Sequence, residues 1–215
     1  MNADLSVRVV VDTESKDWLA TAEAGGGRKL LDGDEAASAT RVQKCALGCA
    51  FDSPAHGLGE EILVLQGAVA DDLAEYSAGA YLRNPPGAHR ALRTDLGCVV
   101  FVKRYPFEPE DTAVVRIDTA NTPWRQGLVP GLSVMPLHEH QGEHAALVRW
   151  QPETYFQPHG HFGGEEILVL SGVFEDEHGS YPAGTWIRSP HMSRHQPFSR
   201  PGCTIYVKTG HLLQD

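Results

Sequence analysis

The chain has no run of apolar residues near the roughly 20 needed to cross a bilayer as a helix. Its start, MNADLSVRVVVDTESKDW, lacks the basic flank and apolar stretch of a signal peptide. Basic residues are scarce: 18 Lys and Arg stand against 28 Asp and Glu, a formal charge of −10. That leaves no basic stripe to neutralise phosphates and argues against direct nucleic-acid binding. Cysteine is sparse too, with four in 215 residues, which suits a reducing compartment better than a disulfide framework. Cys45 and Cys49 fall in a stretch that reads as one strand, where they would lie about 13 Å apart, too far for a disulfide or a shared metal. They are expected to be small core residues. The sequence thus predicts a soluble cytoplasmic protein with no membrane partner. Also missing is any sustained 3.6-residue period, whereas Gly and Pro make up roughly a sixth of the chain, which favours turn-rich β structure.

What the chain does have is an internal repeat. GEEILVL occurs at 59–65 and again at 164–170, an offset of 105. The offset holds without a gap from His56/His161 to Lys103/Lys208, and 19 of those 48 positions are identical. It also pairs Asp71 with Asp176, Arg83 with Arg188, and Cys98 with Cys203. The protein is a duplicated domain, divided by the repeats into 1–105 and 106–215, with PFEPED (106–111) as the link. Within each half, short apolar runs closed by turn signals recur every 8–12 residues, the pattern of an antiparallel sandwich or barrel of the jelly-roll kind. Residues 20–40, rich in Ala, Gly and acids, read as surface loop.

Eleven histidines is a high count. In the second repeat the sequence runs His159-Gly-His161-Phe-Gly-Gly-Glu165-Glu166. Side chains at i and i+2 on a strand share a face, so His159 and His161 project together. The Phe-Gly-Gly step permits a turn that swings Glu165 back toward them, and His195 follows Pro190 by five residues. Three imidazoles and a carboxylate suit a divalent transition metal, Zn or Fe first, with Mn, Ni or Cu also compatible.

These residues match a family pattern. HxHxxxExxxxxxG (His159–Gly172) followed by GxxxxxPxxxxH (Gly184–His195) resembles the two motifs of the cupin superfamily. The longer run HGHFGGEEILVLSGVFEDEHGSYPAGTWIRSP resembles the cupin domain of ChrR-type anti-sigma factors. The resemblance covers both repeats and implies an all-β bicupin, two tandem jelly-roll (double-stranded β-helix) barrels. It implies His159, His161, Glu165 and His195 as metal ligands. One departure is Met192, where the family usually has glycine. The resemblance further implies a stress-response or transcription-regulatory sensor. ChrR-type factors grip the sigma factor through a separate helical domain with its own zinc. No such Cys/His spacing precedes residue 45, so a sigma factor is expected as partner only where a separate anti-sigma domain supplies the contact. The same cupin type is similar to Fe(II)-dependent dioxygenases that cleave diketones or hydroxylated aryl ketones. Either role gives the barrel a small-molecule ligand or oxidant as partner, and a homodimer is compatible with both.

The first repeat is degraded. The offset maps His159 to Pro54, His161 to His56, Glu165 to Glu60 and His195 to Arg90. His56, Glu60 and the neighbouring His89 form at most a vestigial site, and this barrel is expected to be metal-free. His138-Glu-His140-Gln-Gly-Glu-His144 reads as a hairpin tip, with His138 and His140 on one face as a weak surface metal site. His178 and His211 are expected at the surface. Arg83 and Arg188 are expected in a structural salt bridge. Glu166 should face away from the ligands, toward solvent or the other sheet. Phe156, Phe162, Phe174, Trp186 and Phe198 are the aromatic candidates for lining a pocket.

Overall fold

The computed structural model describes residues 1–2, 4–21, 25–34, 38–51, 57–88 and 91–212. Strands and turns account for the regular structure of these residues, and no helix occurs among them. Two compact units result, each an antiparallel jelly roll: residues 1–3 with 16–122, and residues 4–15 with 123–215.

In the second unit the strand order is Val9–Asp12, Thr185–Ser189, Glu165–Asp176, Cys203–Thr209, Glu143–Trp150, Leu132–His140, Arg125–Gln126. The first unit repeats it: Val115–Ile117, Tyr81–Asn84, Gly59–Ala70, Cys98–Tyr105, Ser38–Cys45, Gly27–Asp34, Leu19–Ala20. The edge strand of each unit comes from the sequence of the other repeat. Val9–Asp12 pairs with Thr185–Ser189, with Val9 opposite Arg188, and Val115–Ile117 pairs with Tyr81–Asn84, with Val115 opposite Arg83. Both edge strands run into an Asp-Thr turn. Asp12 accepts the Glu14 amide at 2.9 Å and Asp118 accepts the Ala120 amide at 3.0 Å.

The core of each unit is the inward face of its strands. In the second, Ile167, Val169, Phe174, Ile187 and Ile205 pack together; in the first, Ile62, Val64, Val69, Leu82, Val100 and Val102 do so. Residues 27–34, expected as loop, form a strand whose Leu31 is fully buried. Lys29 and Lys44 lie over the Trp18 ring at 4.5 and 4.6 Å and cover the indole. The 106–111 segment is also more than a link. Phe107 is buried beneath the Arg83 guanidinium at 3.8 Å, and Asp111 pairs with Arg83.

The glycine that closes the first family motif has a mechanical cause. The register of Glu165–Asp176 against Cys203–Thr209 shifts between Val169 and Ser171, a β-bulge. Gly172 then adopts φ +70°, and a Cβ there would lie 2.0 Å from the Gly202 carbonyl oxygen. Gly67 repeats this in the first unit with φ +71°. Met192 presents the opposite case. Its φ of 62° is left-handed, the conformation its counterpart Gly87 adopts at 80°. Gly172→Ala should therefore cost more than about 2 kcal/mol in urea unfolding, through the left-handed conformation and the backbone clash. Met192→Gly should gain about 1 kcal/mol, because that exposed side chain packs on little.

Candidate metal centre

A separate two-stranded ribbon, His159–His161 against Ser193–His195, carries three of the four candidate ligands. His159 stands opposite His195 in register, and His161 opposite Ser193. Gly163 and Gly164 follow at φ +73° and +72°, with the Gly164 amide donating to the His161 carbonyl at 3.1 Å. This double left-handed turn reverses the chain so that Glu165, first residue of the long strand, faces the imidazoles. The ligand atoms of His159, His161, Glu165 and His195 all lie within 4.8 Å of one another. His161 Nε2 is 3.5 Å and His195 Nε2 3.7 Å from Glu165 Oε2. The three imidazole centroids are 4.6–4.9 Å apart, with rings tilted or edge-on, so that their nitrogens converge.

The electrostatics of this cluster suit the binding of a cation. His161 Nε2, Glu165 Oε2 and His195 Nε2 are buried and have no hydrogen-bond partner. Such atoms are costly unless something compensates them. Burial, together with neighbouring His195 and His159, holds His161 down at about 3, so its ring is neutral with a free lone pair. Burial pushes the Glu165 carboxyl up to about 7, because nothing within the protein fully neutralises it. Burial also lowers His159, whose Nδ1 lies 3.1 Å from the Gln157 carbonyl, a contact that fixes Nδ1–H and leaves Nε2 as acceptor. A cation with bonds near 2.0–2.2 Å spans donors roughly 3–4 Å apart, close to what these residues present. The cluster could hold a metal ion.

Behind this cluster stands Asp176, which sequence reading paired with Asp71 but gave no role. Its Oδ2 lies 3.6 Å from His195 Nδ1 and turns Nε2 toward the cluster. Asp176 also accepts bonds from Tyr181 Oη (2.9 Å), the His178 amide (2.8 Å) and Arg8 Nη2 (3.0 Å). Arg8 precedes the exchanged edge strand, so residues from the start of the chain brace a group at its far end. Burial opposes ionisation of Asp176, but bonds from His195, His178 and Tyr181 and the Arg8 charge together hold it at about 2. His195 moves up despite its burial, drawn by Asp176 and Glu165.

Beside the cluster lies a cavity of about 130 Å³. His159, Glu165 and His195 form its polar wall, and Leu132, Val148, Trp150, Phe156, Phe174, Pro197, Ile205 and Val207 form the rest. No Lys or Arg lines it. Of the aromatic candidates, only Phe156 and Phe174 reach this cavity. Phe162 is exposed, Phe198 stacks on Tyr155, and fully buried Trp186 donates to Glu166 on the other face at 3.0 Å. Trp150 was missed because its strand alternation is shared by many core residues.

The remaining candidates separate cleanly. Of the vestigial set, His56 and His89 lie outside the described residues. Glu60 is described, buried, and 3.2 Å from Arg104 Nη2, its cross-strand partner. In the second unit the residue opposite Glu165 is Thr209. A guanidinium thus pairs in the first unit with the carboxylate whose counterpart in the second faces an uncharged threonine. His138 and His140 lie in the predicted hairpin, closed by Gln141 and Gly142, and no metal-type cluster forms there among the described residues. His178 is half exposed, as expected. His211 is not at the surface: its ring is buried, with Nε2 2.6 Å from Glu166 Oε2. Cross-strand burial of Glu166 demanded a donor, which sequence spacing could not reveal. Arg83 pairs with Glu61 (3.6 Å) and Asp111, while Arg188 donates to the Asp4 and Val7 carbonyls, both away from the cluster.

Asp176→Asn should remove about 3 kcal/mol at pH 7 by leaving Arg8 and His195 without their carboxylate. The folded value of Asp176 lies below its ordinary 3.8, so its stabilisation is present above that pH and lost as pH falls through about 2. In the metal-free protein, urea unfolding across pH should show wild type and variant converging over that window. A gap of constant size would contradict the assignment.

Comparison with known proteins places these features in a family. No curated protein matches the chain in sequence. Among solved structures, a Nostoc punctiforme protein provisionally described as a dioxygenase is 14% identical with a TM-score of 0.78, covering 98% of this chain and 85% of that one. Protein YlbA of E. coli is 13% identical with a TM-score of 0.76, over 99% of this chain and 95% of that one. Salicylate 1,2-dioxygenase from Pseudoaminobacter salicylatoxidans is 10% identical with a TM-score of 0.70, over 96% and 85%. At these identities the likeness is one of fold. The model of the ChrR cupin-like domain matches twice, over residues 6–108 and 112–213. Both repeats are accounted for, and the chain belongs to the ChrR cupin-like family as a bicupin.

Proposed function

We propose that the second barrel is a mononuclear transition-metal centre held by His159, His161, Glu165 and His195, which admits a small, mainly apolar ligand from the adjoining cavity. The observation that carries this reading is the continuity of the donor cluster with that cavity. A purely structural zinc site is closed on all sides, whereas a working site keeps an open position. Among the ions this donor set accepts, Fe or Zn comes first, with Mn and Ni next.

The reading developed furthest by the cavity is an Fe(II)-dependent dioxygenase for a diketone or hydroxylated aryl ketone. When bound, the ion would supply a Lewis-acidic, redox-active point for the substrate oxygens and O₂. The protein supplies the rest. Phe156, Phe174, Leu132 and Val207 exclude water and favour an uncharged hydrocarbon body. With no cation on the wall, a substrate's negative charge would have to be met at the ion itself, which disfavours dicarboxylates. Neutral His161 and the Asp176-braced His195 hold their lone pairs at fixed positions.

The family match favours a second reading, a stress-response or transcription-regulatory sensor in which the same site binds an oxidant or small ligand without turnover. Oxygen uptake separates the two. Protein reconstituted with Fe(II) under nitrogen, then exposed to air with a panel of diketones and hydroxyacetophenones, should consume O₂. His161→Ala should abolish uptake and His56→Ala should leave it intact. Equal loss in both variants would overturn the assignment of one working barrel. Absence of uptake across the panel, with zinc retained from purification, would support the sensor.

A further inference from the structure

The first barrel keeps no imidazole cluster among its described residues, yet its core holds three of the four cysteines. Cys45 ends the strand Ser38–Cys45, Cys98 begins the strand Cys98–Tyr105, and the two are direct antiparallel partners. Opposed residues in such a pair have Cα atoms about 4.5–5.5 Å apart, inside the range of about 4.4–6.8 Å that a disulfide spans. Both side chains enter the same core cluster. Cys49 joins them. The strand that was expected to run on through it stops at Cys45, and a turn returns the Cys49 amide to the Ala46 carbonyl at 3.2 Å. The expected 13 Å separation along one strand is thus overturned, and Cys49 enters the same core cluster as Cys45.

We propose that Cys98 and Cys45 form a redox pair, oxidised by a hydroperoxide to a reversible cross-strand disulfide. Cys98, which follows the Gly97 turn and the exposed Leu96 at the strand end, is assigned as the nucleophile, its thiolate being the reacting form. Cys98 sulfur attacks one peroxide oxygen, the O–O bond breaks, and the leaving hydroxide takes a proton to become water. The Cys98 sulfenic acid then condenses with the Cys45 thiol, forming the S–S bond and releasing a second water. Two thiols lose two electrons and two protons, and one hydrogen peroxide becomes two waters.

Location supports reactivity over inert burial. The pair sits at strand ends beside Leu47 and Leu96, which are 73% and 85% exposed. Gly97, at φ +85°, turns the chain immediately before Cys98. The second barrel provides an internal control. The 105-residue offset places Trp150 where the first barrel has Cys45, so Cys203 faces an indole. Burial pushes that lone thiol up to about 11.

The test uses the full reduced chain, treated with hydrogen peroxide, denatured with an alkylating agent present, and mapped by peptide mass spectrometry. The expected result is a fall from four alkylatable thiols to two, a Cys45–Cys98 linked peptide, and full recovery with dithiothreitol. Cys203→Ser should keep the link. Cys45→Ser should leave Cys98 as a sulfenic acid captured by dimedone. Four thiols surviving peroxide, a link between Cys45 and Cys49 instead, or irreversible oxidation without a link would each overturn the proposal. Mapping of the wild-type chain decides even if Cys45→Ser does not fold.

Discussion

Three buried side-chain atoms without hydrogen-bond partners, at the wall of an apolar cavity, are the feature on which the second barrel turns. A neutral His161, a His195 aimed by Asp176, and a Glu165 whose carboxyl is driven upward by burial form an arrangement that no group completes among the described residues. Buried polar atoms of this kind persist in folded proteins when a ligand or ion compensates them. The surrounding architecture follows from that need. The two-glycine turn delivers Glu165, the His159–His161 ribbon presents the imidazoles from one side, and the bulge at Gly172 lets the long strand change direction past them.

The two barrels meet one electrostatic problem in different ways. Each carries a buried glutamate at the start of its long strand, Glu60 directly after Gly59 and Glu165 as first residue. In the first, the cross-strand residue is Arg104, whose guanidinium neutralises Glu60 at 3.2 Å. In the second, the cross-strand residue is Thr209, which carries no charge. The interior of the first barrel is correspondingly refitted, with Cys45 where the second has Trp150. The two duplicated scaffolds thus differ at a few inward positions.

Much of this was legible in the sequence, for local reasons. The duplication, the β-rich class and the four convergent residues all rest on short-range signals: an ungapped offset, a two-residue strand period, and a glycine turn. What stayed hidden depends on pairing across long separations. The Glu60–Arg104 pair spans 44 residues, Arg8 reaches Asp176 across 168, and Glu166 meets His211 across 45. The exchanged edge strands left only a faint trace, VVVDT against VVRIDT, because it sits at an offset of 106 and so falls outside the 105-residue register. Residues 27–34 looked like loop because their strand buries few apolar side chains and is covered by lysine stems. The turn after Cys45 escaped notice because Cys-Ala-Leu-Gly-Cys carries one weak turn signal among apolar residues.

The most direct test of the central claim is the metal content of the full chain, purified without chelators or added metal under nitrogen and measured by elemental analysis. Under the proposed assignment close to one transition-metal ion per chain is expected, since Arg104 pairs with Glu60 whereas uncharged Thr209 stands opposite Glu165. Two ions per chain would contradict that division of labour. None, even after reconstitution with Fe(II) or Zn(II), would contradict the existence of the centre itself.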